Sequence, residues 1–198
     1  MRFFYIHGFN GGWPSRSGLA LGKLLDAGVF CLQYDYSKPF VECRDALWDA
    51  INSSRAKKIC LMGTSLGGFY ALSLRHPSIR KVVAWNPVVY PAVQLLQFVG
   101  ENVRFNDGVA WRFEKSVALS YATAPDPRAR IPSPGMDDNS SPPVRRVILG
   151  LDDEILDSEL GAAYWAGYAD LSFIKSGHSV EDYGHLLEIE PELATLRD

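Results

Sequence analysis

The chain has 198 residues, of which 47% are hydrophobic and 22% charged, with a formal net charge of −3. That length and balance fit one domain, 1–198, with a substantial core. They exclude the basic footprint of a nucleic-acid binder, and no apolar run reaches a membrane-spanning length.

The first element is "RFFYIHG", read as a strand. His7 and Gly8 break its apolar run too early for a signal h-region. "SGLALGKLLDAG" follows as a helix opened by Ser17 and closed near Gly28, then "VFCLQYD" as the second strand and "FVECRDALWDAINSS" as the second helix. "KKICLMG" is the third strand, and "SLGGFYALSLRHP" a helix that Pro77 is expected to stop. "KVVAWNP" is the fourth strand.

Val88 to Pro143 interrupts the alternation. The segment begins with a helix-like "AVQLLQFVG", carries Phe98, Phe105, Trp111, Phe113 and Tyr121, and closes in the Pro- and Ser-rich "APDPRARIPSPGMDDNSSPP". It is longer than a connection requires and reads as an insertion at the sheet rim, with residues 124–143 fitting a lid or a surface loop equally. Its aromatic part, Phe98 to Tyr121, is expected to line or cover a pocket. "RRVILGL" and "DLSFIKSG" are the fifth and sixth strands, "SELGAAYWAGY" the helix between them and "VEDYGHLLEI" a last short helix. Near-continuous apolar strands alternating with amphipathic helices predict an α/β fold with a mainly parallel sheet of about six strands, covered on both faces.

Cys31, Cys43 and Cys60 are an odd number without metal-like spacing, which favours free thiols, no structural disulfide or zinc, and a cytoplasmic protein.

The third strand passes into its helix through Gly63-Thr64-Ser65-Leu66-Gly67, a match to the nucleophile elbow G-x-S-x-G. The turn lacks the lysine of a phosphate-binding loop and the G-x-G opening of a dinucleotide site. At the tip of such a turn Ser65 stands at a helix N-terminus, where the Leu66 N–H is free to meet developing negative charge. A serine needs a base. His7 suits the loop that offers a second N–H, that of Phe9. His76 lies about 16 Å down the elbow helix at about 1.5 Å per residue, and His185 sits within the last helix. His178, after the final strand, is the base of choice. Asp152, Asp153 and Asp157 follow the fifth strand. Asp153 fits best as the orienting acid, because Ile155 and Leu156 can anchor its loop, whereas Asp157 suits a helix cap. The alternative acid position, after the fourth strand, holds Asn86, which is no carboxylate. The order Ser65, Asp153, His178 is that of α/β-hydrolases.

"FFYIHGFN", "MGTSLGGFYA", "LDDEILD" and "SGHSVEDY" together resemble the small YqiA-type esterases of the α/β-hydrolase superfamily, and the resemblance runs through "LLQFVGEN" to cover essentially the whole chain. It implies a three-layer hydrolase fold lacking the N-terminal antiparallel hairpin. It also implies a serine hydrolase acting on short-chain acyl esters or thioesters, with a small-molecule substrate and no metal or organic cofactor. Residue by residue it makes Ser65 the nucleophile, His178 the base, Asp153 the acid, and the N–H groups of Phe9 and Leu66 the oxyanion donors. Gly177 stands where the family usually has Asn before the histidine. An acyl-CoA thioesterase and a non-catalytic binding module of the same fold are the rival readings. No nucleic-acid or membrane partner is expected, and the protein is expected to be a monomer or homodimer.

Overall fold

A computed structural model describes residues 1–129 and 142–195. Six parallel strands form one sheet in the order β2-β1-β3-β4-β7-β8: β1 Arg2–Ile6, β2 Val29–Leu32, β3 Ile59–Thr64, β4 Ile79–Trp85, β7 Val144–Gly150 and β8 Asp170–Ile174. These are the six strands expected from the sequence. Every residue of the central β3 is buried, which is why "ICLMGT" shows no polar alternation. The register pairs Phe4 with Leu61 and Leu61 with Val82, so the apolar runs share the same depth.

Helices cover both faces. Helix α2, Phe40–Ser53, buries Phe40, Cys43, Leu47 and Ile51 at three- and four-residue spacing. It shares a core with α3, Leu66–Ser73, and α6, Ser158–Trp165. Helix α1, Arg16–Leu25, and α7, His185–Ile189, pack on the other face, through Leu21, Leu25 and Leu186. No helix among the described residues is long and apolar enough to cross a membrane.

Several boundaries differ from expectation. Ser15, not Ser17, caps α1 by accepting from the Gly18 N–H at 3.2 Å, and Asp26 ends the helix in a left-handed conformation before Gly28. Helix α3 stops at Ser73, four residues short of Pro77, because Leu74 is already extended. The last helix covers only His185–Ile189, since Gly184 begins it with no capping side chain.

The insertion holds more structure than a helix-like run. Helix α4, Pro91–Gln94, continues as a 3-10 turn to Phe98. A small antiparallel hairpin follows, β5 Gly100–Val103 with β6 Ala110–Phe113, and then α5, Lys115–Ser120. The hairpin turns at Asp107-Gly108, where Gly108 has φ +70°, a strong hairpin signal. Residues 130–141 of the Pro- and Ser-rich stretch, for which a lid or loop was expected, lie outside the described residues.

Polar side chains anchor the bottom of the sheet. Lys81 of β4, buried, pairs with Glu190 and Glu192 of the C-terminal segment. Arg146 of β7 donates to the same Glu190 at 2.6 Å. Burial disfavours the Lys81 cation, yet the hydrogen bonds and charges of the two glutamates outweigh it and raise its pKa.

Candidate active site

The carboxyl ends of β1, β3, β4 and β7 meet around the β3–α3 turn. Ser65 has φ 57° and ψ −122°, a strained conformation for a residue with a Cβ. Its N–H donates to the Trp85 carbonyl at 2.9 Å, and its own carbonyl accepts from Phe69 at 3.0 Å. The glycines on either side are required by close approach. A Cβ on Gly63 would run into the Gly67 backbone, and one on Gly67 into the carbonyls of Ile6 and His7. Helix α3 thus starts pressed against the ends of both β3 and β1. The Ser65 side chain makes no capping bond to its own helix and borders a cavity of about 700 Å³.

His178 and Asp153 are brought together. The His178 Nδ1 lies 2.9 Å from Asp153 Oδ2 and 3.1 Å from Oδ1, with side chains only 12% and 2% exposed. With Nδ1 engaged, Nε2 is the imidazole nitrogen left for chemistry. The acid is fixed from below, since Asp153 Oδ1 accepts from the Ile155 and Leu156 N–H groups at 2.8 Å each. Burial works against ionising Asp153. The hydrogen bond and charge of His178 and the two backbone donors more than offset it, so its carboxyl lies below the usual range. Of the other acids considered, Asp157 caps α6 by accepting from Glu159 and Leu160. Asp152 is exposed.

His178 lines the same cavity as Ser65, Phe9 and Leu66. No hydrogen bond joins Ser65 Oγ to His178 among the described residues. Such bonds often tighten only in the substrate complex. Among the described residues the Phe9 and Leu66 N–H groups donate to no protein acceptor, and a Cβ on Gly8, beside Phe9, would stand 3.8 Å from Ser65 Oγ.

The remaining histidines have other partners. His7 is buried, stacks on Tyr34 at 4.7 Å and donates from Nδ1 to the Gly8 carbonyl at 2.9 Å, and burial lowers its pKa. His76 accepts from Ser78 through Nδ1 at 3.1 Å, and His185 Nε2 accepts from the Trp85 indole at 2.9 Å.

Three supporting residues were not expected from the sequence. Asn86, 3% exposed with φ 43°, sits where an alternative acid would have been. Its Oδ1 accepts from Gly150 N–H at 2.7 Å, and its Nδ2 donates to the Gly177 and His178 carbonyls at 3.1 Å each. One amide therefore ties the ends of β4 and β7 to the histidine loop. Glu154 adds a second tie, accepting from the His178 N–H at 2.9 Å, and that bond, foremost, lowers its pKa. A Cβ on Gly177 would lie 2.8 Å from the Glu154 carboxylate, so the small residue before His178 makes room for this contact.

The third, Asn10, joins the insertion to the Phe9 loop. Its Oδ1 accepts from the Trp111 indole at 2.8 Å, its Nδ2 donates to Asn102 at 3.2 Å, and its carbonyl accepts from Phe105 N–H at 2.8 Å. The Phe9 ring packs among Phe98, Trp111 and Phe113 with centroids 4.8–5.5 Å away. This corrects the expectation that Phe98 to Tyr121 as a whole borders the pocket. Phe98 and Phe105 do so, whereas Phe113 and Tyr121 are buried in the core, and Trp111 packs behind Phe9.

A parallel sheet of this order, helices on both faces and a strained serine between close-packed glycines define the α/β-hydrolase fold. Within it, the chain belongs to the family described as uncharacterised protein family UPF0227, the YqiA family, which matches residues 2–191. No curated protein matches the sequence. Among solved structures, the chain is similar to α/β hydrolase domain-containing protein 10 from mouse, at 14% identity and TM-score 0.70, covering 98% of this chain and 90% of that one. A monoacylglycerol lipase from Paleococcus ferrophilus gives 16% and 0.68 over 98% and 92%. Est1E from Butyrivibrio proteoclasticus gives 15% and 0.63 over 98% and 85%.

Proposed function

We propose that the protein is a serine esterase that cleaves short-chain acyl esters through Ser65, His178 and Asp153. The observation that carries the reading is the Asp153–His178 pair, 2.9 Å apart, facing the cavity that Ser65 borders. Asp153 holds the ring with Nδ1 toward the acid, so Nε2 takes the serine proton as Oγ attacks the acyl carbonyl. The Phe9 and Leu66 N–H groups receive the oxyanion, at the N-terminus of an eight-residue helix whose dipole favours negative charge. The imidazolium then returns its proton to the leaving alcohol as the carbonyl–oxygen bond breaks, and water repeats the sequence on the acyl-enzyme. Val88, Leu95, Phe98 and Leu156 border the cavity and supply an apolar place for the acyl chain. The lipase name among the structural neighbours agrees with this chemistry.

A fluorophosphonate probe tests the reading. Covalent labelling of the wild-type protein, lost in Ser65→Ala, is expected. No labelling of the folded wild-type protein would favour a non-catalytic module.

A further inference from the structure

His178 stands in the segment 175–184 between β8 and α7, which contains no helix or strand. Among the described residues neither its N–H nor its carbonyl bonds to backbone. Side chains take both places. Asn86 Nδ2 donates to the carbonyl at 3.1 Å, and Glu154 Oε2 accepts from the N–H at 2.9 Å. The placing of the imidazole therefore depends on contacts from outside its own loop.

Two adjacent acids divide these contacts. Asp153, with its side chain 2% exposed, meets the ring, and Glu154, exposed, meets the backbone of the same histidine. Both lie on the turn after β7, where the Leu151 and Asp152 N–H groups donate to the Ile174 and Ser176 carbonyls at 2.9 and 3.1 Å. The two loops are thus joined up to residue 176, just short of the histidine. A ring held only at Nδ1 can still tilt about that contact, whereas fixing the backbone amide as well sets the direction of Nε2.

Gly177 fits this arrangement. Its φ is outside the left-handed range, so its backbone does not require glycine. A Cβ there would meet Glu154 Oε2 at 2.8 Å, with the Asp152 carbonyl farther off at 3.7 Å. The side chain excluded at 177 is one that would push the Glu154 carboxylate off the His178 N–H.

We propose that Glu154 is a positioning residue for His178, acting as the hydrogen-bond acceptor of its backbone N–H, and that Gly177 is small so that this acceptor can reach. The assignment rests on the esterase reading and adds to it the contact that aims the base.

The test measures kcat and KM for p-nitrophenyl butyrate, per folded molecule, in wild type, Glu154→Ala, Glu154→Gln, Gly177→Ala and the double variant Glu154→Ala/Gly177→Ala. Glu154→Ala is expected to lose about 10-fold in kcat with little change in KM. Its urea midpoint should hardly move, because the side chain is exposed. Glu154→Gln keeps an oxygen that accepts and should recover most of the loss. Gly177→Ala should lose a similar amount, and the double variant no more than either single one. Wild-type kcat in Glu154→Ala, a Gln variant as slow as the Ala variant, or losses that multiply in the double variant would each overturn the assignment and leave the esterase intact. Hydrogen exchange of the His178 amide reads the contact without turnover and is expected to quicken in Glu154→Ala. An unchanged exchange rate overturns the contact whatever the protein does with esters. Absence of ester turnover by folded wild-type protein removes the esterase reading and the positioning role with it.

Discussion

The indole N–H of Trp111 donates to the side-chain oxygen of Asn10 at 2.8 Å, joining residues 101 positions apart. Trp111 belongs to the insertion hairpin and Asn10 to the loop that presents the Phe9 N–H. The insertion therefore supports the Phe9 loop from behind, in addition to bordering the cavity through Phe98 and Phe105.

Trp111→Phe keeps most of the ring packing and removes the donor. If the Phe9 N–H serves the transition state, kcat for p-nitrophenyl butyrate falls about 3- to 10-fold with little change in KM, the loss expected for one weakened hydrogen bond. Steady-state kinetics check this. An increase in KM alone would move Trp111 to substrate binding.

Asn86 holds three backbone groups with one buried amide. Asn86→Ala leaves them unpaired, at a cost of about 1–3 kcal/mol for each group that water cannot reach. A lowered urea midpoint is expected, together with a loss of kcat of about 10-fold or more as the His178 loop loses its position. Asn86→Asp should not restore activity, because a carboxylate can accept from Gly150 but cannot donate to the carbonyls of Gly177 and His178.

Lys81 and Glu190 offer a variant that separates stability from catalysis. Both are buried at the far end of the sheet from Ser65. Lys81→Met leaves Glu190 with Arg146 as its remaining cation and should cost about 3 kcal/mol. The expected result is a lower Tm with unchanged kcat per folded molecule, measured by thermal melts and active-site titration.

Asp153 has a lowered pKa in the folded protein, from an ordinary value of 3.8. Its contribution to stability is therefore complete above that ordinary value and is lost as pH falls through the lowered one. Urea midpoints between about pH 2 and 6 should fall more steeply for the wild type than for Asp153→Asn at the acid end. Parallel curves would show that the carboxylate gains nothing from its partners.

The six strands were legible because a parallel sheet buried on both faces writes continuous apolar runs. The elbow was legible because Gly63 and Gly67 touch backbone and admit no other residue. The pairing of His178 with Asp153 followed from two chain positions at one sheet edge. The β5–β6 hairpin was missed because its strands are four residues long and half-exposed, and its Asp107-Gly108 turn lay inside a segment read only as the aromatic part of an insertion. Asn86 was weighed only as a missing carboxylate. Its work is to bond three backbone groups from two distant segments, and no local pattern announces that. Ser15 and Ser17 are equally good caps in sequence, and only the position of the Gly18 amide separates them.

Hydrolysis of p-nitrophenyl butyrate by Ser65→Ala decides whether Ser65 is the nucleophile. Turnover is expected to fall about 10⁴-fold or more relative to the wild type, with the variant still folded. A Ser65→Ala protein that hydrolyses the ester at a rate comparable to wild type would contradict it.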